Sequence, residues 1–314
     1  MRTETKRKAD ILIENRNILK GAFKTAGICR ILLGASYAAN QNKLIDIQRV
    51  HECRGYIRQA SGRFSYFNSI SSLELAVRLS FSEDYQAEFN NILNTYDDLK
   101  RTFKRSIFLP QLAVLFNDKP NAQELILRTE DIFSSMRKEH PWLTNISHIT
   151  YAGLLALCEK DWRSMLIDAE DVFAMIKRRF FLAEPALLLS YVLAMYDAVP
   201  DVKAQNAMDF FSAFSQHRLK YGTVVELPTL GIFANACHGK DIGEAVSEII
   251  EVYHYLLEHK GFGRFSLSIP HRLMLACMIV LDDDAGRINA LPFNELFSQL
   301  YTTFSIIVCS QQGD

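Results

Sequence analysis

The chain has 314 residues, of which 49% are hydrophobic and 23% are charged, and its formal net charge at pH 7 is −1. These values are typical of an ordinary soluble protein and exclude a disordered or fibrous chain. With only 14 glycines and 8 prolines, the sequence has few of the breaks that many short strands require.

The charge is unevenly distributed along the chain. Residues 1–63 carry 13 Lys and Arg against 5 Asp and Glu, whereas the remaining residues carry 22 against 31. This pattern is either a chance asymmetry of solvated surfaces or a basic end that meets an acidic partner or the acidic body of a second copy. We expect an unknown protein or peptide partner, and the near-zero net charge speaks against nucleic acid.

The six cysteines are scattered, without a CxxC motif or a nearby Cys/His pair. The sequence therefore predicts neither a zinc site nor a disulfide framework. No targeting signal is evident, and no run approaches the roughly 18 apolar residues of a membrane span. We expect a cytoplasmic protein that makes no contact with a membrane.

The N-terminal third predicts three helices. Residues 8–26 carry apolar side chains at helical spacing on one side and are polar elsewhere, as expected of a helix that caps an array. An apolar helix follows over residues 28–39, and an amphipathic helix over residues 45–59 ends at Ser61-Gly62.

A repeat of about 40 residues begins after this segment. Good helix N-caps recur at Asp84, Asn121, Asp161, Asp201 and Asp241. An aromatic residue lies 12 residues after most of these caps, with an apolar partner three residues further on, in the pairs Tyr96/Leu99, Phe133/Met136, Phe173/Ile176 and Tyr253/Leu256. After Asp201 the pair arrives early, as Phe211 and Phe214.

A nearly all-apolar helix precedes each amphipathic one, at residues 73–81, 109–116, 151–158, 187–196, 227–236 and 273–281. Two helices per repeat predict an all-α fold of stacked antiparallel helical hairpins, an α-solenoid-like single domain over residues 1–314. Within it, residues 1–27 form the capping helix, 28–281 the hairpin repeats, and 282–314 a C-terminal helix and tail. The helix at 291–309 is apolar for a chain end, so we expect it to fold back onto the last hairpin or to form a homodimer.

Four groups of short motifs fall in a characteristic order along the chain: Gly62-Arg63-Phe64-Ser65-Tyr66-Phe67; Lys138-Glu139-His140-Pro141; Lys220-Tyr221-Gly222 with Glu226-Leu227; and Lys260-Gly261-Phe262-Gly263 with Arg272-Leu273-Met274. Together they resemble the bacterial family catalogued as domain of unknown function 4003, over residues 8 to 281. The chain departs from the family at residues 266–270, and its C-terminal tail shows no similarity. The family has no assigned activity, so the resemblance implies a single all-helical domain and assigns no functional residue.

No catalytic, cofactor-binding or metal-binding residues are predicted, because the sequence has no GxGxxG, phosphate-loop, HExxH or GxSxG motif. The run Asp282-Asp283-Asp284 is interpreted as a solvated loop, with a hard-cation site as the alternative. Glu226 lies beside an apolar helix. It is expected either at the surface, near the helix N-terminus, or in an inward polar site with Lys220 or Arg272.

Aromatic residues at the hairpin junctions (Tyr66, Phe67, Trp142, Tyr221, Phe262 and Phe265) are interpreted as core residues, or as a groove if several line one edge. The candidate binding surface comprises Lys220, Tyr221, Glu226, Phe262, Arg264 and Arg272. The first functional hypothesis is a non-enzymatic module that binds a protein or peptide. The alternative is a small-molecule-binding protein or enzyme with a pocket around Glu226 and Arg272. The tetrapeptide Gly-Arg-Phe-Ser at 62–65 and 263–266 is either a remote repeat or a coincidence.

Overall fold

A computed structural model of the chain describes residues 1–222, 224–238, 241–281, 287–288 and 291–312. In chain order its helices are α1 (Thr3–Ala22), α2 (Ile28–Asn40), α3 (Ile47–Ser61), α4 (Ser72–Ser80), α5 (Tyr85–Thr102), α6 (Leu109–Phe116), α7 (Ala122–Glu139), α8 (Ile149–Leu157), α9 (Trp162–Ile176), α10 (Ala183–Ala194), α11 (Pro200–Gln216), α12 (Thr229–Ala236), α13 (Ile242–Leu257), α14 (Ile269–Leu281) and α15 (Phe293–Gln312). Single 3₁₀ turns lie at Tyr66–Asn68 and Ile146–His148, and β1 (Arg287–Ile288) pairs antiparallel with β2 (Leu291–Pro292). The prediction of an all-α fold is confirmed.

The first fourteen helices form two layers. Each odd-numbered helix packs against the even-numbered helix that follows it, and a loop joins the two into an antiparallel hairpin. The even-numbered helices are buried on nearly all sides, as in α10, where every residue from Pro185 to Ala194 is buried. The odd-numbered helices bury one face only, so they form the outer layer.

The seven hairpins close into a ring. Neighbouring outer helices contact each other along the chain, and α1 also contacts α13 and α14. One bond across this closure joins the Tyr255 hydroxyl to Asp10 Oδ1 at 2.5 Å. Helix α1 was expected to cap the array of hairpins. It instead joins the first hairpin to the last, since it packs against α2 and also contacts α13 and α14.

Helix α15 lies inside the ring. It packs against α2, α8, α12 and α14, and it makes polar contacts with α4 and α6. Its apolar side chains are buried, including Leu296, Phe297, Leu300 and Tyr301. The apolar surface that suggested a homodimer is therefore covered within the chain itself, by the inner helices rather than by the last hairpin alone.

The predicted caps are formed in part. Side-chain oxygens accept from first-turn amides at Asp84, Asp161 and Asp241. Asn121 holds the N-cap position of α7, but its side chain makes no capping hydrogen bond. Asp201 is not a cap, because α11 already begins at Pro200. This earlier start explains why the aromatic pair of that repeat arrives early.

The four predicted aromatic and apolar pairs from Tyr96 and Leu99 in α5 to Tyr253 and Leu256 in α13 are buried. In the early pair of α11, Phe214 is buried and Phe211 is half-buried. All six cysteines are buried as well. The run Asp282-Asp283-Asp284 lies outside the described residues. Since the direction of the chain reverses at every loop of the ring, the loops that lead into inner helices all lie at one end and those that follow inner helices lie at the other.

Candidate functional site

The loops that lead from an outer to an inner helix are strongly basic. They comprise residues 23–27, 62–71, 103–108, 140–148, 177–182, 217–228 and 258–268, and they contain 11 Lys and Arg against 2 Asp and Glu. All eleven cations are exposed, whereas the carboxylate of Glu226 is buried and that of Glu258 is exposed. We call this surface the basic end. Its cations are Lys24, Arg63, Lys104, Arg105, Lys177, Arg178, Arg179, Arg218, Lys220, Lys260 and Arg264.

The opposite end has the reverse charge. The six loops at this end follow the inner helices α2, α4, α6, α8, α10 and α12. Their described residues include 8 Asp and Glu against 3 Lys. Several of these carboxylates cap the following outer helix. The acidic character of that end is thus partly a consequence of helix capping, which requires acceptors there. The ring therefore has a charge difference along its axis.

Four aromatic side chains of the basic end are almost completely exposed. The exposed fractions are 97% for Phe64, 97% for Trp142, 96% for Phe181 and 108% for Phe265. The next most exposed large hydrophobic side chain among the described residues, Ile167, reaches 66%. Single exposed apolar side chains are common on protein surfaces, but four of the largest at one charged end form a patterned surface.

Three of the four aromatics occupy the same place in a β-turn. The Ser65 amide donates to the Gly62 carbonyl at 3.2 Å, and the Ser266 amide donates to the Gly263 carbonyl at 2.9 Å. The Leu143 amide likewise donates to the His140 carbonyl at 3.2 Å. In each turn the aromatic residue is the third of four. The two copies of Gly-Arg-Phe-Ser thus have the same hydrogen bond and both present Arg and Phe to solvent.

The loop that carries Trp142 is held by partly buried polar contacts at both of its ends. His140 Nε2 lies 2.7 Å from Glu170 Oε1, and His148 Nε2 lies 3.2 Å from Glu184 Oε1. Hydrogen bonding to His148 lowers the pKa of Glu184, and Asn145 donates to the same carboxylate. These contacts anchor both ends of the loop and so hold Trp142 in position at its tip.

Arg272 organises the loop of the seventh hairpin. Its Nη1 donates to the carbonyls of Phe262 at 2.8 Å, of Gly263 at 3.1 Å and of Leu267. Its Nη2 lies 3.4 Å from the Tyr253 hydroxyl, and the residue is only 2% exposed. This buried guanidinium donates to the carbonyls of Phe262 and Leu267 and adds a donor to that of Gly263, which also accepts from the Ser266 and Leu267 amides.

The structure separates the predicted binding surface into two sets. Lys220 and Arg264 are exposed and belong to the basic end, whereas Tyr221, Glu226, Phe262 and Arg272 are buried. Of the two interpretations of Glu226, the inward position is the one observed. Its expected pairing with Lys220 or Arg272 is not formed among the described residues, since Arg272 binds loop carbonyls and Lys220 points to solvent.

The predicted junction aromatics also divide. Phe67, Tyr221 and Phe262 are core residues, Tyr66 is 40% exposed, and Trp142 and Phe265 are fully exposed. Sequence reasoning missed Phe64 and Phe181 as surface residues. The duplicated tetrapeptide was a signal for Phe64, and the run Lys177-Arg178-Arg179-Phe180-Phe181 was one for Phe181.

Two further observations concern sites of other kinds. Within the described ranges, no group of three or more His, Cys, Asp or Glu side chains is arranged to hold a metal ion. In the same part of the chain, no helix has the length and apolar character needed to cross a membrane.

These features define a class of protein: a closed ring of α-hairpins around a central helix, with one end built from basic and aromatic loops. The model of the family "Protein of unknown function (DUF4003)" matches residues 16–313, and the chain belongs to this family. The match includes the C-terminal helix, for which the sequence analysis found no similarity. No curated protein and no solved structure matches the chain.

Proposed function

We propose that the protein is a non-enzymatic interaction module that binds a negatively charged partner through its basic end. The observation that carries this proposal is the set of eleven exposed cations on six of the seven loops at one end. None of them forms an ion pair within the described part of the chain, so their charge is available to a partner. Clustered charges of one sign attract an oppositely charged partner and accelerate its association.

The alternative function, a pocket around Glu226 and Arg272, has lost its main support. It needs a closed pocket between helices in which both side chains contact a ligand. The Arg272 guanidinium instead donates to loop carbonyls, so it has less capacity to bind a ligand. The basic end is therefore the better candidate for the working surface.

A charge-reversal experiment tests the proposal. The probe is fluorescein-labelled polyglutamate, an acidic polypeptide, and its binding is followed by fluorescence anisotropy at low and at high salt. The test variant reverses three neighbouring cations of one loop, Lys177→Glu, Arg178→Glu and Arg179→Glu. We expect wild type to bind in a salt-sensitive manner, and the variant to bind at least about tenfold more weakly, or roughly 1.4 kcal/mol.

The control variant makes the same change in net charge away from the basic end. Its three substitutions are Lys6→Glu, Lys43→Glu and Lys119→Glu, all at exposed residues. We expect it to bind as wild type does. Equal weakening in both variants would mean that only net charge matters, and no binding of wild type at low salt would remove the proposal.

A further inference from the structure

We infer that the basic end docks onto an anionic phospholipid bilayer, which makes the protein a peripheral membrane protein. This inference rests on the proposed function and names its partner. It also replaces the sequence-based expectation of no membrane contact, which considered only spanning segments. No helix among the described residues can cross a membrane, so the attachment would be to the surface.

The first argument is the chemistry of the exposed side chains. Phe64, Trp142, Phe181 and Phe265 are 96% exposed or more, and they lie in the same loops as the cations or beside them. Phe and Trp rings favour the boundary between headgroups and acyl chains, and Lys and Arg are attracted to anionic headgroups. Each Lys or Arg near such a surface adds to this attraction.

The second argument is the arrangement of these side chains around the ring. Phe64 belongs to the second hairpin, Trp142 to the fourth, Phe181 to the fifth and Phe265 to the seventh. In a ring of seven hairpins, the second and fifth lie across from each other, and so do the fourth and seventh. An extended peptide or nucleic-acid strand follows one line and reaches only some of these positions. A flat surface reaches all of them at once.

The third argument is that neither signal would suffice alone. Weak hydrophobic insertion gives only marginal, reversible membrane binding, and stable attachment combines it with a polybasic surface. The basic end has both, and because Glu226 is buried, Glu258 is the one exposed carboxylate among the described residues of its loops. The charge difference between the two ends would orient the ring with its acidic end away from the lipid.

Vesicle binding by the full-length protein tests the inference. The probes are vesicles of phosphatidylcholine alone and of phosphatidylcholine mixed with phosphatidylglycerol, and binding is measured by flotation. We expect binding only to the mixed vesicles, and at least tenfold weaker binding for Phe64→Ala/Phe265→Ala. The control is Leu127→Ala/Ile167→Ala, which removes exposed apolar side chains from outer helices and should leave binding unchanged.

The two tryptophans provide a second, site-specific measurement. Trp142 lies at the basic end, and Trp162 lies in the first turn of α9 at the opposite end. With Trp162→Phe, the remaining Trp142 emission should shift to the blue on mixed vesicles and be quenched by brominated lipid. With Trp142→Phe, the remaining Trp162 emission should not change. Equal responses of both tryptophans would overturn the inference.

The outcomes separate this inference from the proposed function. Binding to polyglutamate without binding to mixed vesicles overturns the bilayer and leaves the anionic partner to be an acidic protein. Salt-sensitive self-association without vesicle binding, measured by sedimentation velocity, overturns it in favour of contact with the acidic end of a second copy. If the protein binds neither polyglutamate nor vesicles, both proposals are removed.

Discussion

Phe64 and Phe265 each hold the third position of a β-turn with the same hydrogen bond, and both turns lie at the same end of the ring. The two residues are 201 positions apart in the chain. Each follows an arginine, and each is almost fully exposed, at 97% and 108%. An exposed Phe gains nothing from folding, because the hydrophobic effect stabilises only what leaves water. The proposed binding surface would explain their shared placement and the duplicated tetrapeptide.

The two turns differ in one backbone angle, which leads to a first prediction. Gly62 has φ of 81°, a conformation that favours glycine, whereas Gly263 has no positive φ, and neither has an atom within 4 Å of an added Cβ. We expect Gly62→Ala to lower the free energy of unfolding by about 1–2 kcal/mol, and Gly263→Ala to change it by less than about 0.5 kcal/mol. Urea denaturation measures both, and equal effects would contradict the backbone explanation.

The carbonyl cluster around Arg272 leads to a second prediction. Arg272→Met keeps much of the side-chain volume but removes the guanidinium that donates to three loop carbonyls, so we expect a loss of about 2–4 kcal/mol of stability. Arg264→Met, in the same loop but exposed, should change stability by less than about 0.5 kcal/mol. Hydrogen exchange should show faster opening of residues 262–267 in Arg272→Met only. Unchanged exchange there would contradict the anchoring role.

Glu74 leads to a third prediction, on pH. Burial raises its pKa to about 7 from the ordinary value of 4.5, against the lowering effect of Arg78, whose Nε lies 3.8 Å from Glu74 Oε1. Between these two values the native state binds more protons than the unfolded state, so the free energy of unfolding should fall as the pH rises from about 4.5 to about 7.

Denaturation in urea across this pH range measures the effect as a difference between variants. Glu74→Gln should flatten the slope, because the amide has no proton to release. Glu83→Gln, at an exposed position in the next loop, should leave the slope as in wild type. Parallel slopes in all three proteins would show that Glu74 does not titrate in this range.

Two glycines of helical segments lead to a fourth prediction. A Cβ on Gly231 of α12 would lie 2.8 Å from Val192 Cγ1 and 3.0 Å from its Cβ, whereas Gly55 of α3 is exposed and has nothing within 4 Å. We expect Gly231→Ala to destabilise the protein by about 1–3 kcal/mol and Gly55→Ala to stabilise it by roughly 0.5–1 kcal/mol. Thermal melts check both signs, and a stabilising Gly231→Ala would show that α10 and α12 are less closely packed.

Much of the secondary structure could be predicted, because it depends on residues close in sequence. Asp161 and Asp241 cap the helices that the repeat predicted, and Phe173 and Tyr253 lie on the buried faces. Asp201 was misjudged as a cap because Pro200 already begins the helix. A proline at the first position needs no capping acceptor for its own nitrogen.

The candidate site was predicted only in part. Of the predicted residues, Lys220 and Arg264 are exposed, whereas Phe262 and Arg272 are core residues. The types of these residues do not distinguish the two situations, since an aromatic or an arginine at a loop can either pack beneath it or point outward. Among the junction aromatics, Phe67 packs in the core and Trp142 points into solvent.

The sequence by itself determined the helices, the two-layer pattern and the alternation of basic and acidic loops, because capping and hydrophobic periodicity act over a few residues. Only the tertiary structure decided that α1 meets α13, that α15 fills the centre through pairs such as Arg78 and Glu295, and that the basic loops share one end. The contacts of α1 with α13 and of Arg78 with Glu295 join residues more than 200 positions apart. Whether they form depends on the angle through which each hairpin is rotated relative to the preceding one. Small per-hairpin angles decide between an open array and a closed ring, and no local pattern specifies them.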